Sequence, residues 1–594
     1  MKEITVTIDG KQVKGKEGET ILDICRANGI YVPTLCSLEG LSNTGACRMC
    51  LVEIEGIPEP QTACSMLAAD GMKIHTNTQK VKEIRKMILE LIIAERAHFC
   101  PHCPASGDCE LQKLCYEYGI SNIRFTYLFN RLPIDTSHPY LIIDHNHCVL
   151  CGRCIRTCQE IVGNCTLGFK ERGWETTICA DLDTPLGNSS CISCGACAQA
   201  CPTGTILVKY ELFLGKEEEC DSKQSICPLC GQGCEINALV RANNLVRIKG
   251  LGLTSKEGGQ LCARGRFGLF AETRSRILVP LIRNSQGKLE ESSWENALDI
   301  IAQRLSSIKS RGGSIVGLIS SQSTCEEIDL FRDFMNEAVG SSLIDTFDGN
   351  VYRTISYAIA SFKKEFPRIK IDGKTEDILQ ADCVVLVGAD PTHTHPIVAS
   401  FVRRAVLRGG KLIMINSKNN TMAQWTNLYL RTRPSTEWIL MNGLLTLVSQ
   451  KTEMEPSNSK KIFGGFCELS PESVCHSTGV SIDDLERSVE LIAELPKVVF
   501  VCDPSQVDSK TIISLLGLAL LKSNSPDSLD VIFLPPRGNS FAAWNLKGLK
   551  HVDLEMMKQF KIKGAIVVNG DDDIDEETIK LLKETDFVAA HSSY

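Results

Sequence analysis

Residues 148–158, CVLCGRCIRTC, and residues 191–204, CISCGACAQACPTG, carry one spacing twice. Each run sets four thiols as C-x2-C-x2-C-x3-C. The first holds Cys148, Cys151, Cys154 and Cys158. The second holds Cys191, Cys194, Cys197 and Cys201, with Pro202 behind it. Soft thiolates suit iron, and four of them complete the iron sites of a cluster. In paired runs of this kind the fourth cysteine ligates the other cluster. One 4Fe-4S cluster is therefore expected on Cys148, Cys151, Cys154 and Cys201. The other is expected on Cys158, Cys191, Cys194 and Cys197. Such a crossing locks both clusters into one rigid unit.

Three more groups lie on either side. Cys36, Cys47, Cys50 and Cys64 form C-x10-C-x2-C-x13-C, a spacing that resembles plant-type 2Fe-2S ferredoxins. Gly45 can supply the open backbone that points amides at sulfur. Cys227, Cys230, Cys234 and Cys262 form C-x2-C-x3-C-x27-C and are expected to hold a 4Fe-4S cluster. Cys100, Cys103 and Cys109 form C-x2-C-x5-C, which leaves one iron without a thiolate. Its candidates are His98, His102 and Cys115. Residues two apart on an extended strand share a side, so His98 can join Cys100. A helix starting near Cys109 carries Cys115 roughly 9 Å further along and onto another face. His98 is the favoured fourth ligand, with Cys115 as the alternative. An imidazole generally raises a cluster's potential relative to thiolate.

Nineteen of the 29 cysteines belong to these groups. A zinc ribbon uses two C-x2-C pairs, and zinc modules rarely use the triple run. A disulfide framework belongs to small secreted chains rather than one of this size. Cys25, Cys165, Cys179, Cys220, Cys325, Cys383, Cys467, Cys475 and Cys502 have no ligand spacing and read as small buried hydrophobes. A single cluster suits many chemistries, whereas a row suits the movement of single electrons.

The length of 594 residues points to about four domains. A net charge of −8 without a basic run gives no footprint for nucleic acid. The start, MKEITVTIDG, is not a secretory signal, because it alternates polar and apolar residues and carries an acid. The longest nearly uncharged apolar run, Ile512 to Leu521, is half a membrane span. No direct membrane span and a cytoplasmic location are expected.

Ile4, Val6 and Ile8 alternate as a strand, Asp9-Gly10 marks a hairpin, and Thr20 to Ala27 reads as a short helix. Val81, Ile84, Met87, Ile88, Leu91 and Ile92 recur at helical spacing on one face. After about residue 290, apolar runs alternate with helical stretches: Ile315–Ile319, Cys383–Val387, Leu412–Ile415, Val498–Val501, Val531–Leu534 and Ala565–Val568. That alternation predicts a largely parallel α/β sheet. The helix Glu295–Ile308 is expected to bury Ala297, Leu298, Ile301, Leu305 and Ile308. No G-x-G-x-x-G fingerprint follows any of these strands.

The motif order resembles the large iron–sulfur subunit of NADH:quinone oxidoreductase (complex I) and its soluble relatives. These include NAD-linked formate dehydrogenase catalytic subunits and wiring subunits of NAD(P)-linked, often bifurcating, hydrogenases and transhydrogenases. PTLCSLEGLSNTGACRMC (33–50), CPHCPASGDCELQ (100–112), the paired runs, CPLCGQGC (227–234) and GGQLCARGRFG (258–268) carry the resemblance. It implies a multidomain α+β and α/β chain with five domains. These are a plant-type ferredoxin β-grasp (1–78), a cluster-binding helical module (79–138) and a double 4Fe-4S ferredoxin (139–215). A 4Fe-4S module of molybdopterin-oxidoreductase type (220–275) and a truncated molybdopterin-oxidoreductase-like α/β scaffold (276–594) follow.

The family places a histidine four positions before the first cysteine of the second site, where this chain has Arg96. The stretch GSSLIDTFDGNVYRTISYAIA (340–360) has no cysteine to ligate molybdenum, and Arg264 replaces the usual lysine after Cys262. The scaffold is therefore expected without its pterin and its C-terminal barrel, and Asp348 is read as a turn residue. The resemblance implies one 2Fe-2S and four 4Fe-4S clusters and no catalytic residue in this chain. The implied partners are a flavin- and NAD-binding subunit, a thioredoxin-like 2Fe-2S subunit, and a NiFe hydrogenase or ferredoxin. The implied function is electron transfer within a soluble NAD(P)-linked oxidoreductase. The alternatives are the catalytic alpha subunit of a Mo/W formate dehydrogenase or a peripheral-arm subunit of complex I.

Overall fold

The structure is a computed structural model. It describes residues 2–128, 131–252, 255–270, 272, 274–452, 469–523, 527–545, 559–570, 574 and 576–593. Cys467 lies outside the described residues. Two compact units emerge. One comprises residues 1–226 and 234–271, the other 227–233 and 272–594.

The first unit opens with β1 (Glu3–Ile8) and β2 (Lys11–Lys16), an antiparallel hairpin turned by Asp9 and Gly10, both at positive φ. Helix α1 (Ile21–Ala27) starts at Thr20. The Thr20 hydroxyl accepts the Asp23 N–H at 3.2 Å, and the Asp23 carboxylate accepts the Thr20 N–H at 3.2 Å. β3 (Leu51–Ile54), β4 (Ile57–Thr62) and β5 (Lys73–His75) complete a five-stranded sheet of order β2-β1-β5-β3-β4. Val6, Ile8, Leu22, Ile24, Val52 and Ile74 form its core together with Cys50 and Cys64.

Helix α2 (Gln79–Glu95) is capped by Thr78. Its buried stripe is Val81, Arg85, Leu89, Glu90 and Ala94, whereas Met87 and Leu91 are exposed. The inward face thus differs from the apolar face of the sequence. Polar partners decide it: Arg85 donates to the Leu51 carbonyl at 2.6 Å and to the Tyr118 hydroxyl at 3.1 Å, and Glu90 pairs with Arg124 at 2.7 Å. Helix α3 (Glu110–Glu117) begins behind Cys109.

Next, β6 (Ile134–Asp135) and β7 (Leu141–Asp144) precede α4 (Arg153–Arg156), which runs on into a π-helical turn, Thr157–Ile161. β8 (Leu167–Lys170) and β9 (Thr177–Ala180) form a hairpin before α5 (Ala196–Ala200). β10 (Ile206–Val208) returns to pair with β7. β11 (Asp221–Ile226), β12 (Glu235–Arg241) and β13 (Asn244–Gly250) make an antiparallel meander, followed by α6 (Ala263–Phe267).

Among the described residues, the second unit holds two large parallel sheets rather than the one expected, beside two two-stranded ribbons. Five strands run in the order Leu428–Arg431, Lys411–Asn416, Cys383–Val387, Val498–Cys502, Val531–Phe533. Four run in the order Ile344–Thr346, Ser314–Ile319, Ile562–Val568, Phe587–His591. The reason is long-range pairing: Ser314–Ile319 pairs with Ile562–Val568 from the far end of the chain. Helix Trp294–Ser310 buries only Leu305 and Ile308, while Trp294 and Leu298 stay exposed. No helix among the described residues is long and apolar enough to cross a membrane.

Candidate metal centres

Cys36 and Cys47 lie in the loop between α1 and β3, Cys50 at its end and Cys64 behind β4. The four sulfurs form two hydrogen-bonded pairs, Cys36 with Cys47 and Cys50 with Cys64. The charge of Cys36 also acts on the Cys64 thiol. The Cys47 N–H reaches the Cys36 sulfur at 3.5 Å and the Leu35 N–H reaches the Cys47 sulfur at 3.3 Å. Gly45, at φ 62°, turns its N–H onto the Cys64 sulfur. The bond from Cys47 draws the Cys36 thiol down, while the same bond and burial push Cys47 up. In the other pair Cys64 is drawn down and Cys50 pushed up.

The second group lines a cavity of about 200 Å³. His98, Cys100, Cys103, Cys109 and Cys115 all stand in its wall, joined by His147 and Gly204 from later in the chain. His102 is exposed and lies outside it. Two premises drawn from the sequence differ here. The stretch before Cys100 is not an extended strand but a series of tight turns. In it the N–H groups of His98, Phe99 and Cys100 donate to the carbonyls of Arg96, Ala97 and His98 at 3.0, 3.1 and 3.2 Å. Cys115 is not carried away by its helix, because α3 turns it back into the same cavity.

The two candidates differ in chemistry. His98 Nε2 is buried without a hydrogen-bond partner. Burial, then the neighbouring His147 and Arg96, lower its pKa to about 4, so the imidazole is neutral and free to donate a lone pair. Burial pushes the Cys115 thiol up to about 11.

The paired runs share a backbone design that spacing alone did not reveal. Leu150 and Ser193 sit at φ 52° and 58°, and Gly152 and Gly195 at φ 67° and 68°. The N–H groups of Leu150 and Ser193 each reach the sulfur two residues back, Cys148 and Cys191, at 3.4 Å. Positive φ at Leu150 is strained for an L residue, and the loop holds it to bring amides onto sulfur. The glycine following each C-x2-C was the visible part of this signal.

The charge of Cys201 acts on Cys148, Cys151 and Cys154, and that of Cys158 acts on Cys191 and Cys197. Burial pushes Cys148 up to about 11 and Cys151 and Cys191 up to about 12. Thiols buried this way are costly to ionise alone, whereas metal binding repays the deprotonation.

The fifth set divides between the two units, Cys227 and Cys230 in one and Cys234 and Cys262 in the other. Cys262 caps α6 and accepts the Gly265 N–H at 3.4 Å. Among the described residues no three His, Cys, Asp or Glu side chains converge on a single metal ion. Asp348 precedes the helix Gly349–Glu365 and accepts the hydroxyls of Ser321 and Ser540, so it ties loops together. Of the cysteines without ligand spacing, Cys25, Cys383 and Cys502 are buried, but Cys165 and Cys325 are exposed.

The chain matches, in order, a 2Fe-2S iron–sulfur cluster binding domain over residues 1–79 and the NADH-ubiquinone oxidoreductase-G iron–sulfur binding region over 85–124. A 4Fe-4S binding domain follows over 187–207, then a molybdopterin oxidoreductase Fe4S4 domain over 221–271 and molybdopterin oxidoreductase over 276–518. The last match stands against a part that has left pterin chemistry behind, since that family is named for the cofactor. The alpha subunit of NADPH-Fe(3+) oxidoreductase from Geobacter sulfurreducens is 30% identical over 87% of the chain and 62% of its own length. An NADH-quinone oxidoreductase subunit of Rhizobium meliloti is 31% identical over 91% of the chain and 62% of its own length. A putative formate dehydrogenase of Bacillus subtilis is 28% identical over 74% and 49%. The chain thus spans about three fifths of the first two relatives.

Proposed function

Because the chain belongs to the iron–sulfur oxidoreductase subunits that include this NADH-quinone oxidoreductase subunit and the NADPH-Fe(3+) oxidoreductase alpha subunit, we propose that it is an electron carrier in an NAD(P)-linked complex. The observation that carries this reading is the density of donor sets in one compact unit. Two sulfur pairs, a cavity walled by thiols and imidazole, and two interleaved four-cysteine sets all lie within it. Several cysteine sets gathered in one unit suit the stepwise movement of single electrons.

The ligand sets proposed are those of the spacing. They are Cys36, Cys47, Cys50 and Cys64 for 2Fe-2S, and His98, Cys100, Cys103 and Cys109 for the first 4Fe-4S. The crossed sets and Cys227, Cys230, Cys234 and Cys262 serve the remaining three. The domain divisions at 78, 138, 215 and 275 belong to the same reading. The unpartnered Nε2 supports His98 over Cys115. The bound clusters supply one-electron redox chemistry, and the chain's residues hold them, direct amides at sulfur and exclude water. A flavin- and NAD-binding subunit, a thioredoxin-like 2Fe-2S subunit and a NiFe hydrogenase or ferredoxin are the proposed partners, in the cytoplasm.

The test is co-purification followed by NADH or NADPH addition under anoxia. The reading requires bleaching of cluster absorbance in the complex and none in the isolated chain. A Mo/W formate dehydrogenase is the second reading, favoured by the molybdopterin match over 276–518. Molybdenum or tungsten at one per chain, with formate oxidation, would establish it in place of the first.

A further inference from the structure

Several arginines of the first unit are buried. A buried guanidinium needs a counter-charge, because an isolated ion loses far more hydration than hydrogen bonds return. Arg153 has one: Glu110 takes two of its N–H groups at 2.7 and 3.0 Å. Arg156, three residues on, has no ion pair among the described residues. Glu160, the nearest acid along its helix, is occupied by the N–H and hydroxyl of Ser42 at 2.8 and 2.5 Å. The Arg156 guanidinium instead donates to three backbone carbonyls: Cys36 at 2.6 Å, Cys151 at 3.0 Å, and Ser42. Its Nε is buried without a partner.

Cys36 and Cys151 belong to different cysteine sets. One uncompensated cation therefore sits between two ligand loops, joined to each by a charge-assisted hydrogen bond. Clusters held by thiolates are anionic and gain further negative charge on reduction. They are the counter-charge that this guanidinium otherwise lacks.

We propose that Arg156 is a positioning residue shared by two clusters, setting the potential of both and holding their loops at the separation needed for direct electron exchange between them. This rests on the reading of the chain as a cluster-bound electron carrier. A nearby cation stabilises the reduced state of each cluster, and it does so strongly where the surroundings are dry. Its removal must lower both potentials together. Arg266 is the internal comparison: it donates to the Cys194 carbonyl at 2.8 Å and its backbone N–H to the Cys262 carbonyl at 3.0 Å, both outside the 2Fe-2S set.

The experiment is a redox titration of the full, cluster-loaded chain followed by electron paramagnetic resonance. The variants are R156Q, R156K and R266Q. With R156Q, the 2Fe-2S signal and one 4Fe-4S signal are expected to move together to more negative potential, with weaker magnetic interaction between them. R156K keeps the charge but cannot reach both carbonyls, so potentials stay nearer the parent while the interaction weakens. R266Q is expected to leave the 2Fe-2S potential unmoved. An R156Q chain with full iron and unchanged potentials would overturn the proposal and leave the electron-carrier reading intact. If R156Q fails to hold iron, R156K decides: parental magnetic interaction in that variant overturns the shared role. An unmutated chain without cluster signals on dithionite reduction defeats the electron-carrier reading itself.

Discussion

The cavity of the second cysteine group depends on single atoms. His98 Nε2 is buried without a hydrogen-bond partner in a wall shared with Cys100, Cys103 and Cys109, and Cys115 is a fourth thiol in the same wall. His98→Ala is expected to lose or convert one 4Fe-4S cluster, whereas Cys115→Ala retains all of them. Spectra of the two variants check this, and the reverse pattern makes Cys115 the ligand. Gly204 is equally exposed to test. A Cβ there would lie 2.8 Å from the Cys103 sulfur and 3.1 Å from the Ala105 Cβ. Gly204→Ala should therefore disturb this cluster alone, read as a shift or broadening of one signal with the others unchanged.

Short elements, not long ones, shape the sites. The two C-x2-C-Gly loops each spend two residues at positive φ to launch a helix of four or five residues. Gly152 and Gly195 share a backbone conformation but not surroundings. A Cβ at Gly152 meets the Phe169 ring at 3.5 Å and Arg156 Nε at 3.9 Å, both ordinary contacts, while one at Gly195 comes within 2.6 Å of Arg266 and 2.7 Å of Phe267. Gly152→Ala should cost about 1–2 kcal/mol of backbone strain. Gly195→Ala should cost more, since strain and overpacking add. The denaturant concentration at which the chain loses its visible absorbance gives the order, with Gly195→Ala failing first. The helix from Arg153 to Ile161 is the other key element, because its π-helical turn sets Glu160 against Ser42 while Arg156 reaches the Cys36 loop.

At the scale of the molecule the proposal is a conductor without a terminus of its own. One 2Fe-2S and four 4Fe-4S clusters correspond to about 18 irons per chain. Iron analysis of an anoxically prepared chain checks this, and a value near half of that removes several of the assignments. The isolated chain should neither oxidise formate nor reduce NAD, yet dithionite should reduce its clusters. Addition of a flavin- and NAD-binding partner should let NADH do the same. Formate oxidation by the isolated chain would move it to the formate dehydrogenases.

Spacing is a covalent property, so the five cysteine groups, the early hairpin, the capped α1 and the six apolar strands of the second unit were legible in the chain itself. Local chemistry decides such features, and they survive whatever the chain later packs against. Tertiary structure alone decided the rest. Cys115 shares a cavity with Cys100 because α3 is docked that way, and no residue count along a helix reports its docking. The inward face of α2 follows the buried partners of Arg85 and Glu90, which lie far away in sequence. Two sheets replaced one because Ser314–Ile319 pairs with a strand from the far end of the chain. Arg156 looked like one more basic residue in a cysteine motif. Only folding buried it between the Cys36 and Cys151 loops and withheld a carboxylate.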